Sequence, residues 1–483
     1  MMRLLSCVIA VGLACNSLLV QAQSADELRF LLFDPVLIEV ASNEDGTTRV
    51  LELAPPPQDA PVELQQWLVA NLPTGSAPDL TPDVTIKRHE QLVQESELNG
   101  GPFSAQLPQQ LLGLGQALQA TGELDKAQQY FEQALHITRI NHGLFSDAQI
   151  PFVEHSINNQ LRLGNLVTAD EQQRYLFYLN QKNHGADSTA LLPALQHYAE
   201  WNIFAFSAPV SAPALAQDQA AAKAPQVDEA SFRVERLINA QNIYWSMAQI
   251  LLANFGMSDP RLLDAEKRIA LANYFFATSV AAEADSLSLA GSGLQSQPVA
   301  AALAPAPMLG NMGYRQGRDA LERRISYIKQ MDTISTEERL RASLDLSDWM
   351  LYFTRQRMKA IESYDEIHRD FAESMPQDQL DAILNPPLPE PLPTFIKPSW
   401  SRAALGLPAE LALQYRGYID VEYRLNRFGK ANTVEVLGRS NPEVKLVEQR
   451  LLRSLRRAQF RPRMENGELK LSDVVQARYY YTW

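Results

Sequence analysis

Apolar residues change their rhythm along this chain, and the changes divide it into segments. From about Val84 they recur three and four positions apart, the period of a helix with one buried face. In "LLGLGQALQATGELDKAQQYFEQAL", Leu111, Leu114 and Leu118 share a face. Gly122 breaks that helix, and Ala127, Phe131 and Ala134 mark the buried face of the next. Small residues at Gly115 and Ala127 let two antiparallel helices approach closely, with Phe131 filling the space beside them. The signal returns in "RLGNLVTADEQQRYLFYL", where Gly164 and Ala169 each stand 42 residues after Gly122 and Ala127. "LLPALQHYAEWNIF" predicts the first helix of a third pair, and "LRASLDLSDWMLYFTRQRMKAIESYDEI" a further pair in which Leu344, Leu351, Ala360, Tyr364 and Ile367 hold the repeat's positions.

Elsewhere the period is two. "PVLIEVASNEDGTTRVLEL" predicts an early hairpin, with Val36 to Val40 and Val50 to Leu53 as arms around an Asp45-Gly46 turn. At the other end, Ile419, Val421, Tyr423 and Leu425 alternate in "GYIDVEYRLNRFGKANTVEVLG", and Val434 and Val436 continue on a return strand. A helix follows, with Asn441 as its cap and Val444, Val447, Leu451 and Leu455 as its buried stripe. "FRP", an Asn466-Gly467 turn and a strand over Val474 to Tyr481 complete a strand, strand, helix, strand order.

The first helix pair matches the tetratricopeptide repeat at Leu111, Leu114, Gly115, Leu118, Gly122, Ala127, Phe131 and Ala134. The chain resembles that family, and its 42-residue period is similar to the longer kinesin-light-chain variety. Arg139 stands where the family's usual proline would be. The C-terminal stretch resembles the C-terminal domain of TonB-type energy transducers, on "GYIDVEYRLNRFGK", the helix ending in "LRRAQFRP" and the aromatic last strand. That resemblance implies a small α+β domain. It also implies that the last strand pairs by its edge with a short segment of an outer-membrane TonB-dependent receptor. Val475, Ala477, Tyr479 and Tyr481 are then partner-binding candidates, with Arg456, Arg457, Arg461 and Arg463 meeting acidic partners. The plainer reading makes the arginines a solvated face and the tyrosines core.

The resulting organisation runs as follows. A signal peptide spans 1–22, a hairpin plus helices 23–95, and tetratricopeptide-like repeats 96–205. An Ala/Pro-rich insert covers 206–228, a helical pair 229–280, and a low-complexity insert 281–312. Repeat-like helices fill 313–384, a Pro-rich spacer 385–399, and the TonB-like domain 400–483. The fold class is mainly α: a helical-hairpin array followed by a small α+β (β-β-α-β) domain.

Charge supports that division. The chain carries a net −13 over 483 residues, which argues against general nucleic-acid binding. Residues 400–483 hold a net of about +6, so the remainder is strongly acidic. The 29 prolines exceed what one compact helical domain uses, which fits linkers. Arg3, an apolar run to Ala14 and "VQA" before Gln23 predict export by a signal cleaved after Ala22, and hence a periplasmic protein. Lipidation at Cys15 and an uncleaved anchor are the alternatives. Both cysteines lie in that segment, which leaves the mature chain no thiol chemistry and no disulfide.

The seven histidines, among them His89, His136, His142, His155 and His197, show no metal-ligand spacing. "HEQLV" lacks the second histidine of a zinc-protease motif, and "GLGQAL" follows no strand and so cradles no phosphate. No cofactor and no catalytic constellation is expected. The sequence therefore reads as a non-catalytic periplasmic scaffold for an envelope protein or peptide, without nucleic acid. The alternative is a membrane-anchored TonB-type energy transducer for outer-membrane transport.

Overall fold

A computed structural model describes residues 34–37, 40–42, 48–50, 82–207, 229–280, 306–353, 357–395, 417–441, 445–465 and 468–481. The expected signal peptide, the Asp45-Gly46 and Asn466-Gly467 turns, part of the stretch expected to hold a hairpin plus helices (23–95) and most of both inserts lie outside these residues. The fold is mainly α. Thirteen α-helices are found among the described residues: twelve precede a small antiparallel β region, and the thirteenth lies within it. The chain divides into two compact units.

The first unit holds α1 (Pro82–Gly100), α2 (Leu107–Ala120), α3 (Leu124–His142), α4 (Ile150–Arg162), α5 (Leu166–His184) and α6 (Leu192–Ser207). Most of α7 (Glu229–Phe255) belongs to it as well. Each helix from α1 to α6 packs on the next. Their lengths are set by glycine. Gly101, Gly122, Gly143, Gly164 and Gly185 stand 21 residues apart, and each has φ between +77° and +92°. A side chain is disfavoured in that left-handed region, so each glycine is a natural helix stop. One helix and its turn thus take 21 residues, and a pair takes 42.

The loops joining the pairs repeat too: Gly101-Pro-Phe-Ser104, Gly143-Leu-Phe-Ser146 and Gly185-Ala-Asp-Ser188. The hydroxyls of Ser146 and Ser188 accept from the backbone N–H groups of Ala148 and Ala190, opening the next turn of helix. Leu111, Leu114, Leu118, Ala127, Phe131 and Ala134 share one core. A Cβ on Gly115 would lie 2.4 Å from Phe131 Cε1, so the ring occupies the space the glycine leaves. Gly164 is one of the turn glycines, and Ala169 is fully buried.

The second unit holds α8 (Arg261–Phe275), α9 (Ala306–Ile328), α10 (Thr336–Tyr352), α11 (Arg357–Ala372) and α12 (Gln377–Leu384). Leu344, Leu351, Ala360, Tyr364 and Ile367 share a core between α10 and α11. The β region then follows: β4 (Gly417–Leu425), β5 (Ala431–Arg439), α13 (Lys445–Arg457), the hairpin β6 (Arg463–Glu465) and β7 (Glu468–Lys470), and β8 (Val475–Tyr481). The β6–β7 hairpin is an addition to the expected strand order.

Three expectations are corrected. The early segment is not one hairpin with Val36 to Val40 as an arm. β2 (Val40–Ser42) pairs with β3 (Thr48–Val50), while β1 (Asp34–Leu37) pairs with β8. The sheet order is β1-β8-β4-β5, so β8 is an interior strand and not an edge. The described part of the Pro-rich stretch is not a free spacer. Leu392 and Phe395 are buried, the Leu392 N–H donates to Gln459 O, and Phe395 stacks on Trp349 of α10. Apolar residues between the prolines supply the driving force that proline spacing alone does not reveal.

Candidate partner-binding surfaces

The β region has two differently built faces. Ile419, Val421 and Tyr423 of β4 and Val475, Ala477 and Tyr479 of β8 point inward and pack on Leu451 and Leu455 of α13. Alternation along a strand forces this outcome once one face is covered by a helix. Three of the proposed contact residues, Val475, Ala477 and Tyr479, are therefore core residues rather than side chains offered to a partner. The Tyr423 and Tyr479 hydroxyls meet at 3.3 Å. Burial pushes the Tyr423 phenol up to about 12, and burial with the neighbouring Tyr423 raises Tyr479 well above the usual phenol range, so both stay neutral. Tyr481 ends β8, opposite Gly417. On the other face, Arg478 is bound bidentately by Asp420 at 2.7 and 2.8 Å and lies 3.5 Å from the Tyr418 ring centroid.

The sheet's two edges also differ. β5 pairs with β4 through two register shifts, one beside Asp420 and one beside Glu422. Thr433 has φ +47°, unusual for a β-branched residue. Such bulges blunt an edge against further strand pairing. The opposite edge of β8 is taken by β1, in the register Asp34↔Tyr480, Pro35↔Tyr479, Val36↔Arg478 and Leu37↔Ala477.

The four candidate arginines part company. Arg461 is not a surface cation. It is bound bidentately by Asp348 of α10 at 2.6 and 3.0 Å and donates to Ile383 O at 3.1 Å. Asp348 is fully buried, accepts from the Tyr364 hydroxyl at 2.6 Å, and takes a longer bond from Thr394. Burial opposes the Arg461 charge, but Asp348, Tyr364 and Asp345 more than offset it and raise its pKa. Burial with the Asp348 charge raises Tyr364 well above the usual phenol range. Arg463 is half-buried and pairs with Asp473 and Glu465. Arg456 and Arg457, in the last turn of α13, are exposed and remain available to a partner.

A cleft of about 770 Å³ opens beside this junction. Asn385, Pro387 and Glu390 line it from the α12 side, and Arg461, Asp473 and Gln476 from the β region. Asn385 fixes the cleft wall by bonding both the N–H and the C=O of Met464.

The helical array offers a second kind of surface. Phe103 and Phe145 occupy the same place in successive Gly-x-x-Ser loops, 42 residues apart, and both are about half exposed. Phe145 meets Tyr178 edge-on, and Lys182 lies over the Tyr178 ring. Between α2 and α4, Gln116 bonds His155 at 2.8 Å and Gln119 bonds Asn159 at 3.3 Å. Burial lowers the pKa of His155 and of His197, its equivalent one repeat later. His89 is lowered by burial and by Arg88, and a Cβ on Gly113 would lie 2.5 Å from its ring. Among the described residues no three His, Cys, Asp or Glu side chains are grouped to hold a metal. Among the same residues no helix is long and apolar enough to cross a membrane.

Sequence reasoning missed the acidic anchors of both units. Asp348 and Asp345 sit inside the apolar stripe of α10, and Asp170 inside that of α5. Asp170 binds Arg236 at 2.9 Å and the Trp201 indole N–H at 2.8 Å. A carboxylate at a core position of a helical stripe was the available signal.

No known protein family matches the chain, and no curated protein matches it. Among solved structures it is similar to the crystal structure of BtubC (BKLC) from P. vanneervenii, at 11% identity and a TM-score of 0.29. That match covers 65% of this chain and 96% of the other.

Proposed function

We propose that this protein is a non-catalytic interaction scaffold of the cell envelope, built from a tetratricopeptide-like array and a TonB-like docking domain. The observation that carries the reading is the array itself: consecutive helix pairs of constant length, with an exposed aromatic residue at the same place in two successive loops, Phe103 and Phe145. Stacked pairs of this kind supply an extended surface on which a peptide or protein lies. Phe103, Phe145 and Tyr178, flanked by Lys182, have the aromatic and cationic character of interface anchors. The C-terminal domain supplies a second contact through Arg456 and Arg457, exposed in the last turn of α13.

Envelope proteins, TonB-dependent receptors among them, are the partners this reading nominates. A transducer needs long reach, and the packed stretch 385–395 provides none. A photo-reactive residue placed at Phe145 or at Arg457 in the full chain tests the scaffold reading in native cells. Discrete, position-dependent adducts support it. Absence of adducts at both positions overturns it.

A further inference from the structure

Arginines near the C-terminal sheet fall into two sets. Arg439, Arg461, Arg463 and Arg478 each have a carboxylate at ion-pair distance. Arg427, Arg456 and Arg457 have none among the described residues, and neither does Arg357 at the start of α11. Three elements bring this second set together. Arg357 and Arg427 lie 5.7 and 4.8 Å from the centroid of the Phe428 ring. Lys430 donates from Nζ to the carbonyl oxygens of Arg457 and Ala458 at 2.9 and 3.2 Å, which ties the β4–β5 turn to the end of α13. Burial and the Arg357 charge both lower the Lys430 pKa, as crowded cations do. The one carboxylate on α13, Glu448, is already held by Arg439 at 2.6 Å. The turn itself offers a ligand only side chains. Asn426 Oδ1 accepts from the N–H groups of Phe428 and Lys430, Asn426 O accepts from Gly429, and Gln459 Nε2 donates to the carbonyl oxygens of Phe428 and Gly429. A docking peptide strand needs free main-chain groups, whereas a headgroup read by charge does not. Exposed apolar side chains stand among the cations: Met358 follows Arg357, and Leu446 shares the outer face of α13 with Arg457.

We infer that Arg357, Arg427, Lys430, Arg456 and Arg457 form a contact surface for the phosphate headgroups of an anionic phospholipid bilayer, with Met358 and Leu446 entering its interfacial layer. This rests on the envelope reading for its setting and names what the second contact touches. Guanidinium forks match phosphate oxygens in pairs, which suits arginine to the task. Cations interleaved with exposed apolar side chains are the composition of a surface that lies on a membrane. The net charge of −13 on the whole chain turns this basic patch toward an anionic surface and the acidic remainder away from it.

The test is flotation of the full chain with two kinds of vesicle: phosphatidylcholine alone, and phosphatidylcholine with phosphatidylglycerol in equal parts. The wild type is expected to bind the mixed vesicles far better than the neutral ones, and to lose that preference as salt is raised. Arg427→Gln with Arg456→Gln and Arg457→Gln, shown to be folded by a thermal melt, is expected to bind the mixed vesicles on the order of a hundredfold more weakly, because each cation at such a surface contributes roughly fivefold. Lys87→Gln with Lys126→Gln and Lys329→Gln removes the same charge from exposed positions elsewhere and should bind as the wild type does. All variants share every other segment, so the difference between them isolates the patch. Equal wild-type binding to both kinds of vesicle, or an equal loss in both triple variants, would overturn the lipid surface. Binding of a labelled polyglutamate peptide without flotation would overturn it too, and would assign the patch to an acidic protein segment. None of these outcomes alters adduct formation at Phe145, which tests the array separately.

Discussion

The two units solve the same packing problem with different chemistry. In the array of α1 to α6, neighbours are joined by neutral side chains. Gln119, Gln128, Ser156, Asn159 and Gln172 form a chain of side-chain hydrogen bonds linking α2, α3, α4 and α5. Helix lengths there are set by glycines at a constant step. In the helices from α8 onward no such step holds. Neighbours are joined by single buried ion pairs instead: Glu266–Arg323, Arg324–Asp345 and Asp348–Arg461. An amide network fits any copy of the same repeat, so it suits stacking. A buried ion pair accepts one partner only, because either charge left alone is costly to bury. The difference teaches that α1 to α6 are built for repetition, while buried ion pairs mark specific junctions: Asp170–Arg236, where α5 meets α7 beyond the repeats, and the three pairs of the second unit.

Substitutions can break this contrast, and the largest effect belongs to the Asp348–Arg461 junction. Asp348→Ala leaves Arg461 without its carboxylate and is expected to cost about 3–5 kcal/mol in urea unfolding. The paired change Asp348→Leu with Arg461→Met should recover most of that loss, since no lone charge remains. Gly429→Ala ranks next. Gly429 has φ +72°, and its added Cβ would lie 1.9 Å from the Phe460 carbonyl oxygen, which is backbone and cannot swing away. Strain and overpacking together predict a loss of about 2–4 kcal/mol.

Array glycines should be milder. Gly143→Ala places its methyl in open space, so only the backbone conformation, φ +92° with ψ 167°, is penalised, by about 1–3 kcal/mol. Gly122→Ala should cost a similar amount and add to it nearly independently, which would mark the repeats as separable units. Ser335→Ala removes the cap that accepts from Glu338 N and should cost about 1 kcal/mol of second-unit stability.

The smallest expected effect is a pH slope in the array. Burial holds His155 and His197 below the ordinary histidine value of about 6.5. Above that pH both folded and unfolded forms are neutral and no penalty arises. As pH falls below it, the unfolded chain takes up protons first, so stability declines. His155→Gln should flatten that slope without changing stability at pH 8, and thermal melts between pH 5 and 8 read it directly.

Much of the array was legible in the sequence because period carries it. Leu111, Leu114, Gly115 and Phe131 are spaced for one helix pair, and the 42-residue recurrence of Gly164 and Ala169 follows from counting. The finer 21-residue step also stood in the sequence, at Gly101, Gly143 and Gly185, but single glycines are weak signals until their φ values are seen together. The β region's alternation fixed which residues face inward, and that same alternation places Val475, Ala477 and Tyr479 in the core. What periodicity does not carry is long-range pairing. Nothing local to Asp34–Leu37 points to β8, and nothing local to "FRP" points to Asp348. The proline run misled for a related reason. Its spacing argues for extension, while Leu392 and Phe395, set between the prolines, decide that it packs.

The claim most exposed to test is that the C-terminal sheet is built into the second unit through Asp348 rather than tethered by a free proline spacer. Hydrogen exchange of full-length wild type and Asp348→Ala, followed peptide by peptide, addresses it directly. The account predicts strong protection of 377–395 in the wild type, and a joint loss of protection in 336–353, 377–395 and 455–465 in the variant. Fast exchange across 385–395 in the wild type, or a loss confined to 336–353 in the variant, would contradict it.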